Sequence, residues 1–211
     1  MAEQESKKKS FLGKFFEVIT GSPGTTNPDE EEKGKFAPTE KEPVDVRFVR
    51  QFTHSGGYFL YCGTKGEVLD ALRDIISEHN LMGVGSPDEN VLSFLRNGAI
   101  PKVLANLDEC DTICTYCEAL MAFNGGIMID EYQTKGVRID QMPKYHIVLG
   151  KTSQLVENLS SAMSKINQQY RDKRPMQISQ LKAPLDEQVK LASADPNKGR
   201  TLFLLLIEDL L

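Results

Sequence analysis

Residues 117–156 constrain the fold more than any other part of this chain. In order, they contain a stretch rich in small residues, a Gly-Gly turn, a short apolar strand, a polar excursion, a second apolar strand and the start of a helix. Strands that alternate with helices are typical of an α/β protein, in which a mostly parallel sheet carries helices on both faces. Ligands of such proteins bind at the ends of the strands. We therefore expect this fold class for the whole domain.

Composition and charge exclude several classes of protein. Hydrophobic residues make up 40% and charged residues 26% of the 211 residues, which is the balance of a soluble globular protein. The net charge of −5 does not favour a nucleic-acid surface. No apolar run approaches the roughly 20 residues that span a bilayer. Four cysteines, three of them close together, do not form the disulfide framework of a secreted protein. We expect a cytoplasmic protein.

The first 21 residues are predicted to form a basic amphipathic helix. Three lysines, Lys7–Lys9, precede an apolar series that repeats with helical spacing between Ser10 and Gly21. Such a segment suits an anionic membrane surface, which would place the protein at the inner face of the membrane; it equally suits the domain's own surface or a protein partner. The apolar residues predicted to dock are Phe11, Leu12, Phe15, Phe16 and Ile19.

Residues 22–43 are predicted to be a disordered linker. They contain four prolines and the acidic run Asp29–Glu32, with few large apolar side chains. From residue 44 to residue 211 the pattern is that of one packed domain.

Within this domain we expect a helix that Pro43 introduces and Gly56-Gly57 ends. Capping boxes at Thr64–Glu67 and Ser86–Glu89 predict two further helices, the second with Pro87 at its first helical position. A last helix is expected to start at Thr152 or Ser153 and to run to about residue 166. The strands are predicted at Tyr58–Cys62, Thr112–Thr115, Gly126–Ile129, His146–Leu149 and Thr201–Ile207.

The spacing Cys110-x3-Cys114-x2-Cys117 is that of a radical-SAM iron–sulfur motif. Here the cysteines run into a predicted strand, without the glycine that would let a loop wrap a cluster. In a strand, Cys114 and Cys117 would point to opposite faces. We interpret them as buried thiols and expect no metal and no cofactor.

Two segments are candidates for binding a small anion. Gly150-Lys151-Thr152 echoes the end of a P-loop, but Tyr145 stands where the first glycine is needed. A strand that feeds a helix beside Lys151 still offers N–H groups and positive charge, unless it is an ordinary capped helix. Asn124-Gly125-Gly126 offers exposed amides, or is a tight turn that needs glycine for geometry alone. We expect Asn124, Gly125, Gly126, Lys151 and Thr152 to meet in one pocket.

Histidine gives no catalytic signal. His146 begins a predicted strand and is interpreted as structural. No Ser/His/Asp or Cys/His arrangement can be assembled from the spacing, so we favour a protein without intrinsic catalytic activity.

The order of these segments resembles the LUD (lactate-utilisation) domain family over about residues 45–207. Members have a small-residue stretch, a Glu-Thr-Gly-type turn and an apolar strand, to which Ala119–Ala122, Asn124–Gly126 and Ile127–Ile129 are similar. Met142–Val148 is similar to the family's Leu-Pro-x-x-His-hydrophobic strand. The resemblance implies a Rossmann-like sheet related to formyltetrahydrofolate cyclo-ligase and ribose-phosphate isomerase.

The chain departs from this family in two places. Asn124 and Gly125 replace an acidic residue and threonine, and the Gly-Pro-Ser-x-Thr-x-Asp-Ile signature before the last strand is missing. The resemblance implies an accessory subunit that binds a small anionic metabolite, with lactate-oxidation subunits as partners. The alternative is a non-catalytic adaptor that docks through its N-terminal helix.

Overall fold

A computed structural model describes residues 42–183 and 200–209 of the chain. The predicted N-terminal helix and nearly all of the predicted linker lie outside these residues. The five helices described are α1 (Val44–His54), α2 (Lys65–Glu78), α3 (Glu89–Asn97), α4 (Glu131–Thr134) and α5 (Leu159–Gln169). The strands are β1 (Tyr58–Cys62), β2 (Val84–Gly85), β3 (Thr112–Tyr116), β4 (Ala119–Met121), β5 (Gly126–Asp130), β6 (Tyr145–Lys151), β7 (Leu155–Val156), β8 (Ile178–Leu181) and β9 (Thr201–Ile207).

The main sheet is parallel and has the strand order β1-β9-β6-β3-β2. The apolar run Thr201–Ile207 forms β9, which lies between β1 and β6 and buries six of its seven residues. A strand buried on both faces has an almost continuous apolar sequence, and that is why β9 could be predicted to the residue. The edge strand β1 is only partly buried, and its short apolar run predicted the same bounds. The expected mostly parallel sheet flanked by helices is confirmed.

The two faces of this sheet are covered differently. On one face, α2 and α3 pack over side chains such as Cys114, Ile147 and Phe203. On the other, α1 and a second sheet pack over Val148 and Leu204. The second sheet has the order β7-β4-β5-β8 and is mixed, since β7 and β4 are parallel while β5 is antiparallel to both of its neighbours. Helix α5 packs on its outer side. The strand at Gly126–Ile129 was predicted, but its place in a second sheet was not, because β4 and β7 carry too few residues to show a period.

Two predicted helix starts are wrong. Asp88, rather than Ser86, caps α3: its side chain accepts a hydrogen bond from the Asn90 backbone N–H, so Pro87 precedes the helix. The last helix begins at Leu159, not at Thr152 or Ser153. Residues Thr152–Gln154 form one 3₁₀ turn and Leu155–Val156 pair with β4, because Asn158 supplies the helix cap further along the chain.

Candidate functional site

The segment that follows β6 holds a carboxylate of the same chain. The Asp209 side chain accepts hydrogen bonds from the Thr152 hydroxyl at 2.8 Å, the Ser153 backbone N–H at 2.6 Å and the Ser153 hydroxyl at 2.6 Å. Strands β6 and β9 are parallel neighbours, so the residues that follow them meet at the carboxyl edge of the main sheet. This edge is where open α/β sheets bind ligands. We call Lys151, Thr152 and Ser153 the carboxylate cradle.

The electrostatics of the cradle favour an anion. The hydrogen bonds from Ser153, followed by those from Thr152 and the charge of Lys151, lower the pKa of Asp209 below its ordinary value. The cradle is held in shape from behind, where the Gln154 side chain accepts a hydrogen bond from the Lys151 N–H at 2.7 Å and donates one to the Cys117 carbonyl. The cradle, which sequence analysis placed at Lys151 and Thr152, therefore includes Ser153 as well.

The turn at Asn124–Gly126 is explained by geometry. The Gly125 N–H donates to the Met121 carbonyl at 3.0 Å, and the Gly126 N–H donates to the Asn124 side chain at 3.0 Å. Gly125 has φ +65°, and a Cβ there would lie 2.5 Å from the backbone N of Phe52 in α1. Glycine thus provides both the left-handed conformation and the close approach of the turn to α1. Both amides are used within the turn itself.

The structure separates the two segments that we expected to share one pocket. The chain runs from the cradle through β7 alongside β4, with Leu155 opposite Leu120 and Val156 opposite Met121. The cradle lies at the Cys117 end of β4, whereas Asn124–Gly126 follows its other end. The expected meeting rested on a helix that begins at Thr152. The turn does approach the start of the last helix, but that start is at Leu159.

A buried polar cluster that sequence analysis missed lies where β3 leads into β4. Glu118 is 5% exposed and accepts hydrogen bonds from the Tyr170 hydroxyl, at 2.7 Å, and from the Gln133 side chain. Asp130 is 1% exposed and caps α4, and within the described part of the chain its Oδ2 has no hydrogen-bond partner. Burial raises the pKa of both carboxyl groups. The capping pattern Asp130-x-x-Gln133 was the only local sequence signal of this buried polar cluster.

An open cavity of about 460 Å³ adjoins this cluster. The rings of Tyr132 and Tyr170 lie 5.1 Å apart on its wall, and Tyr170 reaches from the wall to Glu118. The remaining lining residues are Gln168, Gln169, Arg171, Asp172 and Lys173. The cavity wall thus carries charges of both signs, from Arg171, Asp172 and Lys173.

The cysteines and His146 occupy structural positions. Cys114 and Cys117 are buried on opposite faces of the main sheet, and burial raises the pKa of Cys114 to about 12. In residues 42–183 and 200–209, no three His, Cys, Asp or Glu side chains are grouped so that they could hold a metal ion. His146 is fully buried, its Nε2 lies 2.8 Å from the Thr115 hydroxyl, and burial lowers its pKa. An imidazole kept neutral in this way supports the structural interpretation of His146.

Among the described helices, none combines the length and the apolar character needed to cross a membrane.

Comparisons with known proteins show what part of the chain is similar to. The family model of the LUD domain matches residues 95–182, a range that contains the cradle, the turn and the buried cluster but not Asp209. A solved DUF162 family protein from Deinococcus radiodurans shares the fold: its TM-score is 0.54 at 17% identity, over 78% of this chain and 96% of that one. No curated protein matches the sequence. The fold is thus that of an α/β protein with a mostly parallel sheet.

Residues 95–182 are therefore similar to the LUD domain.

Proposed function

We propose that this LUD-domain protein binds a small organic anion at the carboxylate cradle, as an accessory component of lactate or related organic-acid utilisation. The observation that carries the proposal is the position of Asp209, whose carboxylate already accepts hydrogen bonds from Thr152 and Ser153. A carboxylate needs several convergent donors and a nearby cation, and the cradle supplies two hydroxyls, one amide N–H and Lys151.

The place of the cradle supports the same function. It lies at the carboxyl edge of a parallel sheet, beside the central strand β9. Both Asp209 and Lys151 are exposed, so a free carboxylate can reach the donors that Asp209 uses. The groups described here donate hydrogen bonds or carry positive charge, which holds an anion without transforming it. Our proposal is accordingly one of binding, with the chemistry left to partner subunits of an organic-acid oxidising system.

The test is an NMR titration that follows the backbone amide resonance of residue 153. Asp209→Ala empties the cradle of its internal carboxylate, so we expect L-lactate and acetate to shift the Ser153 amide resonance at lower concentration than in the wild-type protein. Adding Ser153→Ala to this variant removes one of the donors, and we expect the response to weaken at least about tenfold, the effect of losing a single hydrogen bond to a charged group.

Glu208→Ala is the matched control. Glu208 is the neighbouring exposed acid and bonds to the Tyr61 hydroxyl rather than to the cradle. This variant makes the same change in net charge and should titrate like the wild-type protein. If the Ser153 resonance of the Asp209→Ala variant responds to neither anion at tens of millimolar, the cradle is only an internal cap for the C-terminal strand. Co-purification with lactate-oxidation subunits tests the metabolic assignment separately.

A further inference from the structure

The core between the second sheet and α5 is open at one end. Ala119 and Met121 of β4 face α5, and Phe123 follows them in the turn after β4. Ala162 and Ile166 are the buried residues of α5, and helical spacing places Leu159 on the same face. Phe123 is nevertheless 74% exposed and Leu159 57% exposed. The two side chains are therefore large apolar groups beside this core without a cover in the described part of the chain.

Phe123 and Leu159 belong to one surface. The Phe123 N–H donates to the Glu157 carbonyl at 2.9 Å, and Leu159 lies two residues beyond Glu157. Val156 and Met163, both partly buried, join this end to the covered part of the core. We call Phe123, Val156, Leu159 and Met163 the open core end.

The chain enters the described domain beside this surface. Arg47, in the first half of α1, forms an ion pair with Glu157. Glu157 is the residue whose carbonyl bonds to Phe123 and that precedes Leu159 by two positions. Residues 20–41 separate the predicted apolar segment from Glu42. Fully extended, they would reach about 70 Å, whereas only a few residues separate Glu42 from Arg47 beside this surface. A tether this short holds the segment at a high effective concentration.

We propose that the N-terminal segment, residues 11–19, covers the open core end of its own domain. The segment carries five apolar residues on one helical face, so it needs a partner surface before it is stable in water. The open core end lacks an apolar cover, and it lies close to the point where residues 20–41 join the described domain. A surface of this kind is rare on a monomer unless something binds to it.

Limited trypsin digestion of the full chain tests the proposal. Lys14 lies in the middle of the segment, whereas Lys33 lies in the tether and serves as the internal reference. We expect Phe123→Ser and Leu159→Ser each to speed cleavage after Lys14 about tenfold relative to cleavage after Lys33, the effect of a 1.4 kcal/mol loss of docking energy. Phe15→Ser should do the same, and combining it with Phe123→Ser should add little, because both changes break one contact.

Met82→Ser is the matched control, since Met82 is 72% exposed and lies next to Asp111, away from the open core end. This variant should digest like the wild-type protein. Equal cleavage after Lys14 in wild-type, Phe123→Ser and Leu159→Ser proteins would overturn the proposal. Protection that appears only with phosphatidylserine-containing vesicles would overturn it in favour of a membrane surface. Protection that rises with protein concentration would do so in favour of a second copy of the chain.

Discussion

Ser153 holds the carboxylate of Asp209 through both its backbone N–H and its hydroxyl, each at 2.6 Å. The two residues lie at the ends of neighbouring parallel strands, 56 positions apart in the chain. This pair is the observation that supports the anion site we propose. It also ties the C-terminal end of β9 to the segment that follows β6.

Ser153→Ala is expected to raise the pKa of Asp209 towards its ordinary value, because the Ser153 side chain is the largest cause of the lowered pKa. Since the folded-state pKa lies below that of the unfolded chain, the interaction stabilises the protein above the unfolded-state pKa and is lost as the pH falls through the folded-state pKa. Carbon-detected NMR titration of the Asp209 carboxyl group measures the change. Ser153→Thr keeps the hydroxyl and should leave the pKa close to that of the wild-type protein.

Gly125→Ala is expected to destabilise the fold more than Gly136→Ala. Both glycines have positive φ, so either alanine costs about 1–2 kcal/mol in backbone strain. The Cβ at Gly125 would also meet the α1 backbone at 2.5 Å, while the Cβ at Gly136 meets nothing within 4 Å. We expect the difference in the free energy of unfolding, measured with urea, to exceed about 1 kcal/mol. Equal losses would show that α1 moves aside without cost.

Glu118→Gln is expected to raise the free energy of unfolding at pH 7.5, by an amount on the order of 1 kcal/mol. Burial, with the charge of Asp130, raises the pKa of Glu118, so its ionised form is disfavoured in the folded state. Its contribution to stability is full below the unfolded-state pKa of about 4.3 and is lost as the pH rises through the folded-state pKa. The gain should therefore shrink at pH 4.

Glu118→Ala is the control for this prediction. It deprives the Tyr170 hydroxyl and the Gln133 amide of their acceptor and should lower the free energy of unfolding at both pH values. A glutamine variant that is less stable than the wild-type protein at pH 7.5 would show that the ionised carboxylate is favoured in the fold.

Deleting residues 201–211 is expected to abolish cooperative unfolding, because β9 pairs with β1 on one side and β6 on the other. The loss exposes both apolar faces of the sheet, since Leu204 and Leu205 lie in different core clusters. Far-ultraviolet circular dichroism during urea titration checks this. Deleting only Leu210 and Leu211 leaves β9 in place and should preserve the transition.

The candidate site could be predicted only in part. Lys151 and Thr152 were found because a strand followed by polar, cap-forming residues is a local pattern. Ser153 as a second donor, and Asp209 as the occupant, could not be found, because they depend on which strands are neighbours in the sheet. The Asn124–Gly126 turn was recognised, but its reason lies in the approach to Phe52, which is remote in sequence.

The sequence by itself determined the elements that are long and regularly patterned. Tyr58–Cys62 and Thr201–Ile207 are continuous apolar runs, and the spacing of Val68, Leu72 and Ile75 makes one face of α2 apolar. Each of these elements therefore follows from local order. Only the tertiary structure decided the rest. The two- and three-residue strands β7 and β4 exist because partner strands bond to them, and Glu118 meets Tyr170 across 52 positions. Such contacts depend on long-range packing, which local periodicity does not contain.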